Sequence, residues 1–334
     1  MTASTIATAL PPAELPSELV FPLTDNETLI AWSAELMRRD PEEVRQLLAR
    51  EERQLSAYHL WEFERAGVRP HVWSEELVNY YRRSDAGPLG FGPWNRRPFK
   101  AAMRRWIGSR LRQSNRSLRI LVYGDGGGFD SAYFAMCGHD VTYYEVGEMS
   151  VEFARKVFSA NELSVTIADD TCQLDGDPFD VVVCLDVLEH VPDPPQTVRE
   201  FAGYLREGGE LIVHAPFFFV DRHNPTHLAS SKKYSGDCRR LYRRAGLEPI
   251  AGNLFWDPIV LQKRVEPGTR LRRTTKDYWK LKIGGWLLSV ARVWDWPHRR
   301  VANYLSSSGD ARWLEGLPEN WGDLDQLAAR VPER

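Results

Sequence analysis

The chain has 334 residues, 43% hydrophobic and 27% charged, with a formal net charge of −3. That balance excludes an intrinsically disordered chain and supports a sizeable core in one large domain or a domain with extensions. No run approaches the ~18 apolar residues that a bilayer-spanning helix needs.

The first 20 residues lack the basic start and apolar core of a secretory signal, so a cytoplasmic protein is expected. Cys137, Cys172, Cys184 and Cys238 are widely spaced without a C-x-x-C pair. They read as reduced, largely buried thiols rather than a disulfide framework. Charge is segregated: residues 120–231 hold 5 Lys/Arg against 19 Asp/Glu, and residues 232–300 hold 17 against 6. The basic segment either attracts an anionic partner or pairs with the acidic domain.

In chain order, residues 1–24 are Pro/Ala/Ser-rich and expected to be poorly ordered. Residues 25–115 form a helical segment that serves as lid or dimerisation element. Asp40-Pro41-Glu42-Glu43 is a helix start, with Pro at the first helical position and acids in the first turn. Ser74-Glu75-Glu76 opens another helix. Ser84 to Trp94 is rich in Gly and Pro and carries two aromatics, reading either as a lid or as a connector.

Residues 116–265 alternate strand and helix. Ile120–Tyr123, Val141–Glu145, Val165–Ala168, Val181–Leu185 and Glu210–His214 are short apolar strands, with helices around 130–138, 149–160 and 195–206. That alternation predicts an α/β fold, a parallel sheet with helices on both faces. Ser230 to Ala245 reads as one further helix, and 247–251 with 257–263 as a closing hairpin. Residues 266–334 are a C-terminal helical extension. In it, Tyr278–Trp296 is rich in Trp, Leu and Val, flanked by Lys280, Lys282, Arg292, Arg299 and Arg300. Such a helix lies on a membrane surface, on its own domain or on a second subunit, so peripheral membrane contact and a homodimer are both open.

The most informative stretch is Leu121 to Phe129, a strand followed by glycines at 124, 126, 127 and 128, with Glu145 lying 21 residues after Gly124. Glycines let backbone approach a ligand, and a carboxylate about 20 residues on can accept from both ribose hydroxyls. Dinucleotide folds carry G-x-G-x-x-G with helix amides facing a pyrophosphate; here Phe129 takes the third position. Asp125 would also set a negative charge where the pyrophosphate would sit. The expected ligand is a phosphate-free, cationic nucleoside, a description that S-adenosylmethionine fits.

On these residues the chain resembles the class I S-adenosylmethionine-dependent methyltransferases, particularly the small-molecule branch with ubiquinone-type O-methyltransferases. The likeness spans 116–265: the glycine loop, Glu145, the helix from Glu148 to Lys156, Asp169-Asp170, the strand and Leu-Glu-His segment from Phe179 to Val191, and Gly208 to Pro216. It implies a Rossmann-like seven-stranded, mostly parallel sheet. It places Tyr123, Gly124, Asp125, Gly126, Gly128, Glu145, Val146, Asp169, Asp170 and Leu185 along the cofactor. The family's acid two positions before the first glycine is Val122 here, which puts the methionine end of the cofactor in question; Asp125 is its candidate substitute.

A methyl sulfonium is already electrophilic, so the protein must mainly align the nucleophile and, for a hydroxyl, remove its proton. His190, His223 and His227 lie after the fourth and fifth strands, where the crevice opens. His227 matches a histidine that relatives carry, and each is either a base or a structural anchor. Asp186, directly after the fourth strand, either positions the acceptor or caps the next helix. Asp221, His223 and His227 are the donor types of a two-His, one-carboxylate metal centre, but three ligands on one unsupported loop do not make a site. No metal is assigned. Phe217 to Phe219 either wall an acceptor pocket or belong to the core.

These observations lead to methyl transfer to a small-molecule acceptor, at a hydroxyl. The competing readings are methylation of RNA or of an anionic glycan precursor, and a cofactor-fold partner protein without catalysis. Nucleic acid is disfavoured by the lack of a stacking platform and of an Asn-Pro-Pro-Tyr-type signature after the fourth strand.

Overall fold

The computed structural model describes residues 14–221, 223–236, 239–252, 258–264, 271–291 and 311–320, with positions 294, 296, 297, 300 and 304. Six helices come first: α1 (Asn26–Met37), α2 (Pro41–Arg53), α3 (Ala57–Ala66), α4 (Glu75–Arg83), α5 (Ala86–Asn95) and α6 (Pro98–Leu111). Local sequence sets several of their ends. The Asp40 carboxylate accepts from the Glu42 amide at 2.9 Å, and Ser74 Oγ accepts from the Leu77 amide at 3.2 Å, each satisfying an orphan donor of a first turn.

The alternating region follows as β1 (Arg119–Tyr123), α7 (Phe129–Met136), β2 (Asp140–Tyr144), α8 (Glu148–Ala160), β3 (Thr166–Ala168), β4 (Phe179–Leu185), α9 (Pro194–Tyr204) and β5 (Leu205–His214). Then come α10 (Arg239–Arg243), β6 (Leu247–Gly252), β7 (Ile259–Lys263) and α11 (Thr275–Ala291). The seven strands are ordered β3-β2-β1-β4-β5-β7-β6. β1 to β5 pair in parallel, and β7 runs antiparallel between β5 and β6. Strand order reverses between β1 and β4, which opens a crevice at their carboxyl ends.

One apolar layer joins α1, α6, α7 and α8 to one face of the sheet through residues such as Leu29, Ile107, Phe129 and Phe153. The other joins α9, α10 and α11 through Phe201, Tyr242 and Leu281. Trp32 of α1 and Phe91 of α5 meet Phe153 of α8 edge-on, 5.7 and 5.2 Å between centroids. The N-terminal helices are therefore packed onto the sheet domain.

Three expectations are corrected. Glu14 to Thr24, assigned to a disordered stretch 1–24, is packed, with Val20 and Leu23 buried; residues 1–13 lie outside the described residues. The Gly/Pro-rich 84–94 is helix α5, because burial of Ala86, Leu89 and Gly92 against α1 and α2 overrides weak intrinsic propensity. The single helix over 230–245 is a 3₁₀ turn (Ala229–Tyr234) and the short α10, separated at Ser235 and Gly236. Asp257, Cys238, Arg292 and Arg299 lie outside the described residues. Cys137 and Cys184 are buried thiols, whereas Cys172 is exposed.

Candidate functional site

The crevice opens into a cavity of about 1300 Å³. Its floor is the loop after β1. Gly124 has φ +75°, and a Cβ there would stand 2.4 Å from Val187 Cγ2, so only glycine fits. Glu145, just after β2, is fixed by backbone: Oε2 accepts from the Gly126 amide at 2.8 Å, and Oε1 from the Val146 and Gly147 amides at 2.7 and 3.1 Å. Burial raises its pKa, and those three amides oppose the rise. The carboxylate keeps lone pairs for a diol.

Asp125 turns its carboxylate onto the first turn of α7, accepting from the amides of Asp130 at 3.1 Å and Ser131 at 2.6 Å. The helix N-terminus that would bind a pyrophosphate is thus filled by the chain's own anion. Burial first, and then the Asp130 carboxylate, push the Asp125 pKa up.

A buried ionic chain stands beside the loop. Lys100 of α6 places Nζ 3.0 Å from Asp130 Oδ2 and 3.2 Å from Asp186 Oδ2. Arg104 Nε reaches Asp130 Oδ1 at 2.6 Å, and His214 Nε2 lies 3.2 Å from Asp186 Oδ1. Burial alone would lower the Lys100 pKa, but the two carboxylates outweigh it and hold the ammonium charged. Asp186 has φ +61°, a left-handed conformation costly for a residue with a Cβ; such strain clusters at functional sites.

The opposite wall carries the histidines. His190 Nδ1 lies 3.1 Å from Tyr81 Oη and 3.2 Å from the Thr226 carbonyl, and Tyr81 Oη donates to the same carbonyl at 3.3 Å. This network assigns the His190 proton to Nδ1 and leaves Nε2 as an acceptor. His227 meets it edge-on at 4.7 Å. Burial lowers both pKa values, that of His227 further because a proton on it would be repelled by one on His190, so both rings are neutral near pH 7. Glu189, His190 and His227 bring one donor atom each within 4.8 Å of one another, a set able to hold a divalent cation.

The loop trio Asp221, His223 and His227 is not assembled. Asp221 Oδ1 instead accepts from the His223 amide at 3.0 Å and from Asn224 Nδ2 at 3.1 Å, turning the loop, and His223 is exposed. That loop is held from the α3–α4 connection, where His71 Nδ1 lies 2.8 Å from the His227 carbonyl oxygen.

Gly124, Asp125, Gly126, Glu145, Leu185, Asp186, His190, His223 and His227 line the cavity. Tyr123, Gly128, Val146, Asp169 and Asp170 lie outside its lining. Tyr123 packs on Tyr144 and Phe201, Val146 is half exposed, and Asp170 accepts from the Cys172 amide at 2.8 Å. Gly128 is there for packing, since its Cβ would meet Ala154 Cβ at 2.7 Å. Phe217 to Phe219 belong to both wall and core. Sequence reasoning missed Lys100, Tyr81, His59 and His214, all cavity-lining; only the position of His214 at the end of a predicted strand could have signalled one of them.

A methyltransferase domain model matches residues 121–213. The ubiquinone biosynthesis O-methyltransferase of Bordetella pertussis is 33% identical over 163 residues, 42% of this chain and 67% of that protein. The chain belongs to the class I S-adenosylmethionine-dependent methyltransferases. A second methyltransferase, the ubiquinone biosynthesis O-methyltransferase of Stutzerimonas stutzeri, is 31% identical over 128 residues, 37% of this chain and 52% of that protein. The chain thus spans about half the length of the Stutzerimonas stutzeri relative and two thirds of the Bordetella pertussis one. Among solved structures, an O-methyltransferase family protein from Burkholderia thailandensis superposes with TM-score 0.46 and 15% identity, over 66% of this chain and 72% of that one.

Proposed function

We propose that this methyltransferase moves a methyl group from S-adenosylmethionine to a hydroxyl oxygen of a small-molecule acceptor. The observation carrying this reading is the Glu145 carboxylate, held by three backbone amides at the floor of the cavity beside the glycine loop. Residues and cofactor fit. Asp125 closes the anion site of α7 to phosphates, Glu145 presents lone pairs to ribose hydroxyls, and Lys100 with Asp186 offers a cation and an anion to an amino-acid end.

When bound, the cofactor supplies an electrophilic methyl group; the chain's residues supply alignment and proton removal. His190 is the base favoured by the hydrogen-bond pattern, with its Nδ1 committed to Tyr81 and Thr226 and its Nε2 able to take the acceptor's proton. His227 and Tyr81 hold that ring in place. The phenylalanines at 217–219 and Phe91 exclude water from the reacting oxygen. The test is isothermal titration with S-adenosylmethionine and S-adenosylhomocysteine, followed by incubation of small-molecule extracts with labelled cofactor. Absence of binding would remove the proposal; label on an amine or on carbon would move it from oxygen.

A further inference from the structure

Helix α11 has two apolar faces, and the sheet uses one of them. Leu281, Gly284, Gly285 and Leu288 are buried against β6. On the far side, Trp279, Ile283, Trp286 and Val290 follow steps of four, three and four residues, which keeps them on one face. Trp294 lies four residues further along the chain. Trp279, Ile283, Trp286 and Trp294 are 53%, 56%, 66% and 62% exposed, a run of large exposed apolar side chains of the kind that marks an interaction surface.

The stripe is bordered by positive charge. Lys276, Lys280 and Lys282 are exposed on either side of it. A cation also sits over one of its rings, with Lys282 Nζ 5.4 Å from Trp279, and others over neighbouring rings, the Arg273 and Arg300 guanidinium carbons lying 4.9 Å from Tyr278 and Trp296. Indoles flanked by ammonium and guanidinium groups are the composition of a helix lying in the headgroup region of a bilayer. Among the described residues no helix is long and apolar enough to cross a membrane, so the contact is lateral.

We infer that the outward face of α11 docks on the surface of an anionic lipid bilayer, with the tryptophan stripe at the acyl boundary and the lysines on lipid phosphates. A second copy fits less well. Pairing α11 with itself would set Lys276, Lys280 and Lys282 against their own counterparts, whereas phosphate headgroups neutralise all of them. The inference is independent of methyl transfer.

The test is co-sedimentation of the full chain with vesicles of phosphatidylcholine alone and of equimolar phosphatidylcholine and phosphatidylglycerol. Binding is expected to the anionic vesicles and to weaken as salt is raised. The triple change Trp279→Ser, Trp286→Ser, Trp294→Ser should reduce it about tenfold or more, as should Lys276→Glu, Lys280→Glu, Lys282→Glu. Both variants should keep the melting temperature and the affinity for S-adenosylhomocysteine, because every changed side chain is exposed. If a variant fails to fold, quenching of wild-type tryptophan fluorescence by brominated lipid replaces it, and unquenched fluorescence overturns the inference. Binding unaffected by the tryptophan changes overturns it. So does a wild-type dimer that those changes turn into a monomer without vesicle binding, which assigns the stripe to a second copy.

Discussion

The backbone amide of Gly126 donates to the Glu145 carboxylate across 2.8 Å, so the loop after β1 and the acid after β2 act as one unit. Replacing Glu145 therefore removes an anchor of the loop and, on the proposed function, the contact to the ribose as well. Glu145→Ala should lower S-adenosylhomocysteine affinity about 10- to 100-fold, the range for losing charge-assisted hydrogen bonds. Glu145→Gln, which keeps one carbonyl acceptor, should fall between the variant and wild type. Isothermal titration reads both.

Lys100 joins two carboxylates and also lines the cavity. Lys100→Met removes the cation that Asp130 and Asp186 share, but Arg104 still faces Asp130 and His214 still faces Asp186. The loss should therefore fall at or below the low end of the range for stranding a buried charge, about 3–5 kcal/mol. Denaturant unfolding should show that loss. If Lys100 also faces the amino-acid end of the cofactor, the variant should weaken S-adenosylhomocysteine more than 5′-methylthioadenosine, which lacks that end. Equal weakening of both would leave Lys100 a purely architectural role.

Gly128 separates packing from binding. It has φ +79°, and its Cβ would overlap Ala154. Gly128→Ala is expected to destabilise by about 2–4 kcal/mol from backbone strain and overpacking. Because Gly128 lies outside the cavity lining, the folded fraction should keep its cofactor affinity. Urea unfolding and titration at low temperature check the two halves.

His139 gives the fold a pH dependence away from the site. Its Nδ1 accepts from the Leu118 amide at 3.3 Å, which an imidazolium cannot do. Burial first, and then the Arg116 charge, lower its pKa from 6.5 to about 4. Between those values the unfolded chain binds a proton that the folded chain refuses. Its contribution is therefore intact above pH ~6.5 and is lost as pH falls towards ~4, up to about 3 kcal/mol. Plotted against pH, the stability of wild type minus that of His139→Gln should decline over that window; a flat difference would contradict the assignment.

The predicted parallel strands fall within one or two residues of the observed ones, except that β5 begins five residues earlier, at Leu205, and the caps at Asp40 and Ser74 were legible because a cap is made by residues two or three positions apart. The same holds for the glycine loop, where spacing alone distinguishes a phosphate-free ligand from a dinucleotide, and Asp125 on α7 supplies the geometric reason. The Gly/Pro-rich 84–94 misled, since composition reports local preference and α5 is helical through burial against α1 and α2.

By itself the chain determined its alternation of strand and helix, its turn chemistry and the acid that follows the second strand, all of which depend on near neighbours. Tertiary structure alone decided that Lys100 meets Asp186 across 86 positions, that Tyr81 orients His190, and that Glu189, rather than Asp221, joins the histidines. Those encounters follow from which face of the sheet each helix covers and where strand order reverses, and no periodicity within a single element carries that information.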